Sequence, residues 1–139
     1  SAVLMALRTV QDSEGYLKDE HLDAVASYLQ IPPIAVYEVA SFYSMYRRKK
    51  VGKRVIKVCT SLSCCLLGAE QVIEEFENKL GISCGETTPD GQVTLMETEC
   101  LAACCNAPAA ILDDKSYRFD LDLAQVDQII AEVTEKAHE

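Results

Sequence analysis

The sequence predicts an α/β protein in which an N-terminal helical segment is followed by a domain with the element order β-α-β-β-β-α. Two observations predict this class. Apolar residues recur at the helical period through residues 1–46. From residue 55 onward, short β-branched runs alternate with amphipathic runs, which is the pattern of an α/β domain. We therefore divide the chain into a helical segment, 1–50, and an α/β domain, 51–139.

Three helices are predicted in the N-terminal segment. The first ends in the polar stretch 12–15. Asp19 is expected to be the N-cap of the second, because aspartate accepts hydrogen bonds from free N–H groups at that position. The third opens at Pro32-Pro33, since proline is favoured at a first helical position. Its apolar stripe is expected to comprise Val36, Val39, Ala40 and Tyr43.

A basic stretch joins the two parts. Residues 47–57 hold seven of the thirteen basic residues of the chain. A solvated linker between two domains is the simpler interpretation. A docking strip for an acidic partner is the functional alternative.

The α/β domain begins with a strand over 55–58 that ends at Cys59. A helix over 66–80 follows, and Gly81 is expected to end it. The turn residues Pro89-Asp90-Gly91 then lead into a strand over 93–96.

The last three elements complete the predicted order. Residues 109–112 and 115–120 are expected to pair as a hairpin across Asp113-Asp114. Asp122 and Gln125 have the spacing of a capping box that opens a final helix. The whole order fits a compact sandwich of the thioredoxin type. Such folds have a cis proline before a strand, and Pro108 is the candidate, although most X–Pro bonds are trans.

Composition excludes several function classes. A net charge of −9 argues against nucleic acid and against an anionic membrane surface as partners. No apolar run approaches the roughly 20 residues that a membrane-spanning helix needs, so direct membrane insertion is not expected. Seven cysteines beside an ample core point to a reducing compartment, in which clustered cysteines usually serve metal or redox chemistry.

Two cysteine clusters carry the predicted chemistry, CTSLSCC at 59–65 and CLAACC at 100–105. Each lies where a predicted strand runs into a loop, and a rigid scaffold can present ligands there. Four thiolates are the standard ligand set of a [2Fe–2S] cluster, but structural zinc also uses four cysteines. Spacing alone favours an iron–sulfur cluster over zinc, and a dithiol redox site is the least favoured of the three.

The doublets limit the ligand choice without completing it. Side chains of adjacent residues diverge, so each doublet offers one ligand, and geometry does not say which. Cys65 starts the predicted helix and is expected to be a small buried apolar residue, while Cys84 stands alone in a loop. Hydrogen bonds to the sulfurs from three polar neighbours are one expectation, with ordinary loop polarity as the equal alternative: Ser61, Ser63 and Asn106.

Four segments carry a family resemblance: IPPIAVYEVASFYSMY at 31–46, VGKRVIKVCTSLSC at 51–64, LGISCGETTPDG at 80–91 and ECLAACCNAP at 99–108. Together they resemble the small thioredoxin-like [2Fe–2S] subunit of the NADH dehydrogenase module of respiratory complex I (the NuoE family). The last segment is the most specific and resembles E-C-L-G-A-C-x-N-A-P, with Ala102 where glycine is usual.

The resemblance implies a thioredoxin-like [2Fe–2S] ferredoxin domain with Cys59, Cys64, Cys100 and Cys104 as cluster ligands. It implies an electron-transfer subunit of NADH:quinone oxidoreductase, beside the subunit that binds FMN and NADH. The chain itself has no nucleotide-binding motif, so no substrate site of its own is expected. The implied location is the cytoplasmic face of a bacterial inner membrane, or the matrix side in a mitochondrion.

Two other functions stay open at this point. One is the equivalent subunit of a soluble NAD-linked hydrogenase or formate dehydrogenase, which sequence separates poorly from the first. The other is a zinc-stabilised interaction module.

Overall fold

A computed structural model describes residues 2–135 of the chain. The fold divides into two compact units, with the division between Val51 and Gly52. The proposal that the two units are separate domains stays a prediction. Within the described residues, no helix is both long enough and apolar enough to cross a membrane.

The first unit contains three helices, α1 (Ala2–Glu14), α2 (Asp19–Leu29) and α3 (Pro33–Phe42). The prediction of three helices, with proline at the start of the third, is confirmed. The expected N-cap is wrong by one residue, because Lys18 is the cap and Asp19 is the first helical residue. The backbone N–H of Lys18 donates to Nδ1 of His21 across 3.2 Å. His21 therefore occupies the position at which a capping box usually has glutamate or glutamine.

The segment that follows α3 packs against the core of this unit and contributes a buried side chain to it. Tyr43 lies beyond the end of the helix and is exposed, whereas Tyr46 is buried. The buried amide of Gln11 holds that segment, donating to the carbonyl of Met45 (2.9 Å) and accepting from the N–H of Arg47 (2.7 Å). The buried residues of the core are Leu7, Leu17, Leu22, Val25, Ala26, Val36, Ala40 and Tyr46.

The second unit is a four-stranded sheet with helices. Its strands are β1 (Arg54–Cys59), β2 (Val93–Thr98), β3 (Ala110–Leu112) and β4 (Ser116–Arg118), in the spatial order β2-β1-β3-β4. β1 and β2 are parallel, and the other two neighbouring pairs are antiparallel. The four strands follow one another along the chain as predicted. β1 and β2 are each two residues longer than expected, β3 is one residue shorter and β4 is three residues shorter.

The predicted helix over 66–80 is two helices. A short α4 (Leu62–Leu66) precedes α5 (Ala69–Leu80), and Gly68 separates them with φ +105°. Gly81 ends α5 as expected, also in a left-handed conformation. Periodicity did not reveal the break, because Leu66 and Leu67 extend the apolar pattern across it.

α6 (Leu123–Glu135) completes the unit. Its predicted capping box is present, since Gln125 N–H donates to Oδ1 of Asp122 (2.8 Å) and Asp122 N–H donates to Oε1 of Gln125 (3.1 Å). One face of the sheet forms a core with α5 and α6. Its buried members include Ile56, Val58, Phe76, Leu95, Leu112 and Val126.

The hairpin between β3 and β4 turns at Asp113 and Asp114, both in the left-handed region at φ +56°. The carboxylate of Asp113 accepts from Arg54 Nε (2.6 Å) and from Val55 N–H (2.8 Å). Lys57, whose side chain is buried in the sheet, pairs with Asp114 at 2.9 Å. Two residues of the basic stretch therefore fasten the turn to β1. The bond before Pro108 is cis, as expected.

Candidate functional site

Three strand ends meet at one edge of the sheet. Cys59 ends β1 and pairs in register with Thr98, which ends the parallel strand β2. Thr60 N–H donates to the carbonyl of Thr98 across 3.1 Å, and Cys59 N–H donates to the carbonyl of Ala109, just before β3, across 2.9 Å. The loops that leave β1 and β2 therefore start side by side, and these loops carry the cysteine clusters.

The first pair of thiols is internal. Cys59 comes from the end of β1 and Cys64 from α4, and each is only 1% exposed. The two thiols are in hydrogen-bonding contact. They form a small buried cluster with Ala69 and Ala107, against which Leu101 packs.

The second pair lies on the loop after β2. Cys100 and Cys104 are exposed, and their sulfurs are 3.7 Å apart. A single 3-10 turn, Cys104–Asn106, presents the second thiol. Ala102 has φ +57°, and its N–H donates to the sulfur of Cys100 across 3.3 Å. A left-handed residue at this point lets the loop fold back so that the two thiols approach each other.

Two contacts join the pairs. The hydroxyl of Ser63 is in hydrogen-bonding contact with the thiol of Cys104, and the N–H of Leu101 with that of Cys59. Over residues 2–135, no three Cys, His, Asp or Glu side chains gather closely enough to hold one metal ion. The four thiols stand instead as two pairs. A two-iron centre takes two thiolates on each iron, so this donor set fits a [2Fe–2S] cluster.

Within each pair, one thiol opposes the ionisation of the other. Burial, with a further contribution from Cys59, raises the pKa of the Cys64 thiol. Hydrogen bonding and charge at Cys100 raise the pKa of Cys104. Burial also acts on Cys59, but hydrogen bonds from Ser61 and from the Leu101 N–H together hold the pKa of that thiol below its ordinary value. Four thiolates at this place need a cation to offset their charge.

The three remaining cysteines lie in different surroundings. Cys65 is half-buried, as a small apolar residue would be, but its thiol donates to the carbonyl of Thr60 across 3.3 Å. Cys84 is half-buried in the loop before β2 and packs against the sheet core. Cys105 follows Cys104 in the 3-10 turn and is exposed.

Of the three polar neighbours expected to serve the sulfurs, two do. Ser61 Oγ lies 3.2 Å from the sulfur of Cys59, and Ser63 contacts Cys104. The amide of Asn106 does not follow the expectation, because it donates to Oδ2 of Asp120 across 3.3 Å. Sequence spacing gave no signal for this pair, since fourteen positions separate the two residues.

Sequence reasoning also missed an apolar surface beside the site. Three leucines of the α4 region are mostly exposed: Leu62 (77%), Leu66 (76%) and Leu67 (60%). They lie within three residues of Cys64, on and just after the helix that supplies it. A signal was present in the sequence, because three leucines in a nine-residue stretch between strand and main helix exceed what one short helical turn can bury.

Comparison with known proteins gives a consistent family. The sequence profile described as thioredoxin-like [2Fe–2S] ferredoxin matches residues 1–134. Among curated relatives, a subunit of the NADH-quinone oxidoreductase of Rickettsia felis is 42% identical over 133 residues, which is 95% of this chain and 79% of that protein. The corresponding subunit of Aquifex aeolicus is 36% identical over 133 residues, with 96% and 82% covered.

A longer relative comes from Dictyostelium discoideum, the mitochondrial NADH dehydrogenase [ubiquinone] flavoprotein 2. It is 40% identical over 134 residues, and this chain, 96% of which is aligned, spans only 54% of it. Among solved structures, an NAD+-reducing [NiFe]-hydrogenase in the air-oxidised state superposes with a TM-score of 0.79 at 20% identity. The superposition covers 94% of this chain and 23% of the hydrogenase chain, and it confirms the predicted fold.

Proposed function

This chain belongs to the family of thioredoxin-like [2Fe–2S] ferredoxins, and we propose that it carries one [2Fe–2S] cluster on Cys59, Cys64, Cys100 and Cys104 for electron transfer. The observation that carries the proposal is the arrangement of thiols in two pairs at one sheet edge. The buried thiols of Cys59 and Cys64 influence each other's pKa, and the sulfurs of Cys100 and Cys104 lie 3.7 Å apart on the loop.

The choice within each doublet rests on where the thiols point. The thiol of Cys64 contacts that of Cys59, whereas the thiol of Cys65 donates to a backbone carbonyl. In the second doublet, Cys104 is the member whose sulfur approaches Cys100 and Ser63. These contacts support Cys64 and Cys104 over their neighbours.

The cluster supplies one-electron chemistry when it is bound. The protein holds the four thiolates and moderates their charge. Hydrogen-bond donors aimed at sulfur moderate that charge, with Ser61 and the Leu101 N–H directed at Cys59 and the Ala102 N–H at Cys100. Because the chain already carries a net charge of −9, such donors are needed to make the reduced, more negative state accessible.

The partner in this proposal is the subunit that binds FMN and NADH in NADH:quinone oxidoreductase. Two relatives are named as subunits of NADH-quinone oxidoreductase, which supports an assembly of this kind. This chain then accepts an electron from the flavin and has no substrate site of its own. The complex holds it at the cytoplasmic face of a bacterial inner membrane, or at the matrix side in a mitochondrion.

The test uses the chain together with its partner. NADH added to the purified chain alone is expected to leave the cluster oxidised, as followed by absorption and paramagnetic resonance. Addition of the FMN- and NADH-binding subunit is expected to make the same NADH reduce it. Reduction of the cluster by NADH without the flavin subunit would contradict the proposal. A cluster that stays oxidised when both NADH and that subunit are present would contradict it as well.

Co-purification separates the alternatives that the sequence left open. Complex I subunits recovered with the tagged chain support the proposal. Recovery of a hydrogenase or formate dehydrogenase large subunit instead would reassign the chain to one of those assemblies.

A further inference from the structure

The loop that carries Cys100 and Cys104 is hydrogen-bonded, at the C-terminal end of the loop, to a residue much later in the chain. Nδ2 of Asn106 donates to Oδ2 of Asp120 across 3.3 Å, and the N–H of Asp120 donates to the carbonyl of Asn106 across 2.8 Å. These two bonds run in opposite directions between the same two residues. Asn106 belongs to the 3-10 turn that presents Cys104, so the pair acts on the ligand loop directly.

Asp120 is itself held against the core. The next residue, Leu121, is buried in the sheet core, and its N–H donates to the carbonyl of Pro108 across 3.0 Å. Asp120 has φ +48°, in the left-handed region. Aspartate, asparagine and glycine tolerate this conformation, whereas other side chains are strained in it. The residue type at position 120 therefore affects both the backbone and the bond to Asn106.

We propose that Asn106 and Asp120 form a positioning pair that holds the Cys100–Cys104 loop on the body of the domain and so determines how tightly the cluster is retained. The retention part of this inference rests on the proposed function; the positioning part does not. The loop needs such a hold because Cys100 and Cys104 are exposed, whereas the other two ligands are fixed by burial. Both residues are exposed and their side-chain bond is 3.3 Å long, so it contributes as one modest hydrogen bond beside the backbone bond.

Substitutions at position 120 separate the two roles of the residue. Asp120→Gly keeps the left-handed backbone and removes the carboxylate. Asp120→Asn keeps the backbone conformation and an acceptor oxygen for the Asn106 amide, so it is the conservative variant that should restore function. Asn106→Ala removes the donor. Asn78→Ala, on the exposed surface of α5, is the matched control for loss of an asparagine amide.

The first measurement is the rate at which reconstituted protein loses its cluster to a ferrous chelator. Asn106→Ala and Asp120→Gly are each expected to raise that rate about fivefold, the factor that one modest hydrogen bond represents. The double variant should lose the cluster no faster than either single variant, because both remove the same interaction. Asp120→Asn and Asn78→Ala should match the unsubstituted protein.

The second measurement needs no cluster. Amide hydrogen exchange over residues 101–106 of the apoprotein should be about fivefold faster in Asn106→Ala than in Asn78→Ala, with equal exchange in α6 of the two variants. Equal exchange in the two variants would overturn the positioning pair, and so would independent, multiplying effects in the double variant. If the unsubstituted protein takes up no cluster, the proposed function fails, while the exchange result still decides whether the pair holds the loop.

Discussion

At the scale of single residues, the four proposed ligands are held in two different ways. Cys59 and Cys64 are part of a strand end and a helix, and both are buried. Cys100 and Cys104 are on an exposed loop, whose shape depends on a left-handed Ala102 and on the anchoring of Asn106. Substitutions at the internal pair should therefore affect the fold as well as the cluster, and those at the loop pair mainly the cluster.

The loop doublet gives the cleanest test of ligand identity. Cys104→Ser is expected to lose most bound iron and acid-labile sulfide, because its sulfur is the one directed at Cys100. Cys105→Ser, in which the adjacent exposed thiol changes in the same way, is the matched control and should keep both. The readout is iron and sulfide per chain after reconstitution. Normal content in Cys104→Ser with loss in Cys105→Ser would show that the other member of the doublet binds.

Ser61 gives a test of how the protein moderates the cluster. Its hydroxyl lies 3.2 Å from the sulfur of Cys59, and a donor to sulfur stabilises the more negative, reduced state. Ser61→Ala is expected to lower the reduction potential by about 50 mV, which in a one-electron step corresponds to about 1 kcal/mol, the net contribution of one ordinary hydrogen bond. The measurement is a redox titration followed by paramagnetic resonance.

Ser41→Ala, on the exposed surface of α3, is the matched control and should leave the potential unchanged. A potential in Ser61→Ala that equals or exceeds that of the control would contradict a donor role for this hydroxyl.

Sequence reasoning at this scale reached the proposed ligand set only through family resemblance. Spacing showed that each doublet offers one ligand, but not which. The direction of the Cys65 thiol toward the carbonyl of Thr60 depends on the exact turn after β1, which short-range pattern does not encode. The bond from Asn106 to Asp120 was likewise inaccessible, because it depends on how the chain returns from the β3–β4 hairpin.

At the scale of elements, the order of the strands and most capping signals were predictable, whereas the N-cap of α2 was wrong by one residue. The capping box of α6, the hairpin turn at Asp113-Asp114 and the end of α5 at Gly81 are all local chemistry, and all are confirmed. The break between α4 and α5 was not predicted. Leucines before Gly68 continue the helical pattern up to α5, and only the backbone angle of the glycine interrupts it.

Gly68 is therefore expected to be important for the position of Cys64. Its φ of +105° disfavours any side chain, and a Cβ there would lie 2.9 Å from Oε1 of Gln71. Gly68→Ala should lower the free energy of unfolding of the apoprotein by about 1–2 kcal/mol, the usual cost of a left-handed residue with a side chain. The Gln71 amide can rotate away from the new Cβ, but relief of the strained backbone at residue 68 displaces α4, so cluster content should also fall. Urea unfolding and iron analysis provide the two readouts.

Gly85→Ala is the control that separates these two effects. Gly85 has a similar conformation, at φ +93°, but nothing lies within 4 Å of its added Cβ and it is remote in sequence from the ligands. We expect a similar loss of stability with normal cluster content. Equal cluster loss in both variants would mean that general destabilisation, and not the position of α4, is responsible.

At the scale of the whole molecule, the chain consists of two compact units with a lysine-rich segment at their division. Lys49, Lys50 and Lys53 of this segment are exposed, whereas Arg48, Arg54 and Lys57 are bonded to acidic residues of their own unit. The solvated linker therefore stays a prediction, and it concerns the central lysines only. The position of this basic segment could be predicted from the sequence. The ion pairs of its outer residues with Asp19, Asp113 and Asp114 could not, because they depend on how the chain folds.

Limited digestion with trypsin tests the predicted domain boundary. The first cuts are expected after the exposed lysines at 49, 50 and 53, and the larger product, the α/β domain, should keep its iron through purification. A variant with all three lysines replaced by glutamine should resist those cuts under the same conditions. First cuts inside the α/β domain, or loss of iron on cleavage in the linker, would contradict an independent cluster domain.

The central claim is that four thiols in two pairs hold a two-iron cluster, and metal and sulfide content tests it most directly. The purified chain is measured for iron, zinc and acid-labile sulfide, and the dithionite-reduced sample is studied by paramagnetic resonance. We expect about two irons and two sulfides per chain and the signal of a reduced [2Fe–2S] cluster. One zinc per chain, with neither iron nor sulfide, would contradict the claim.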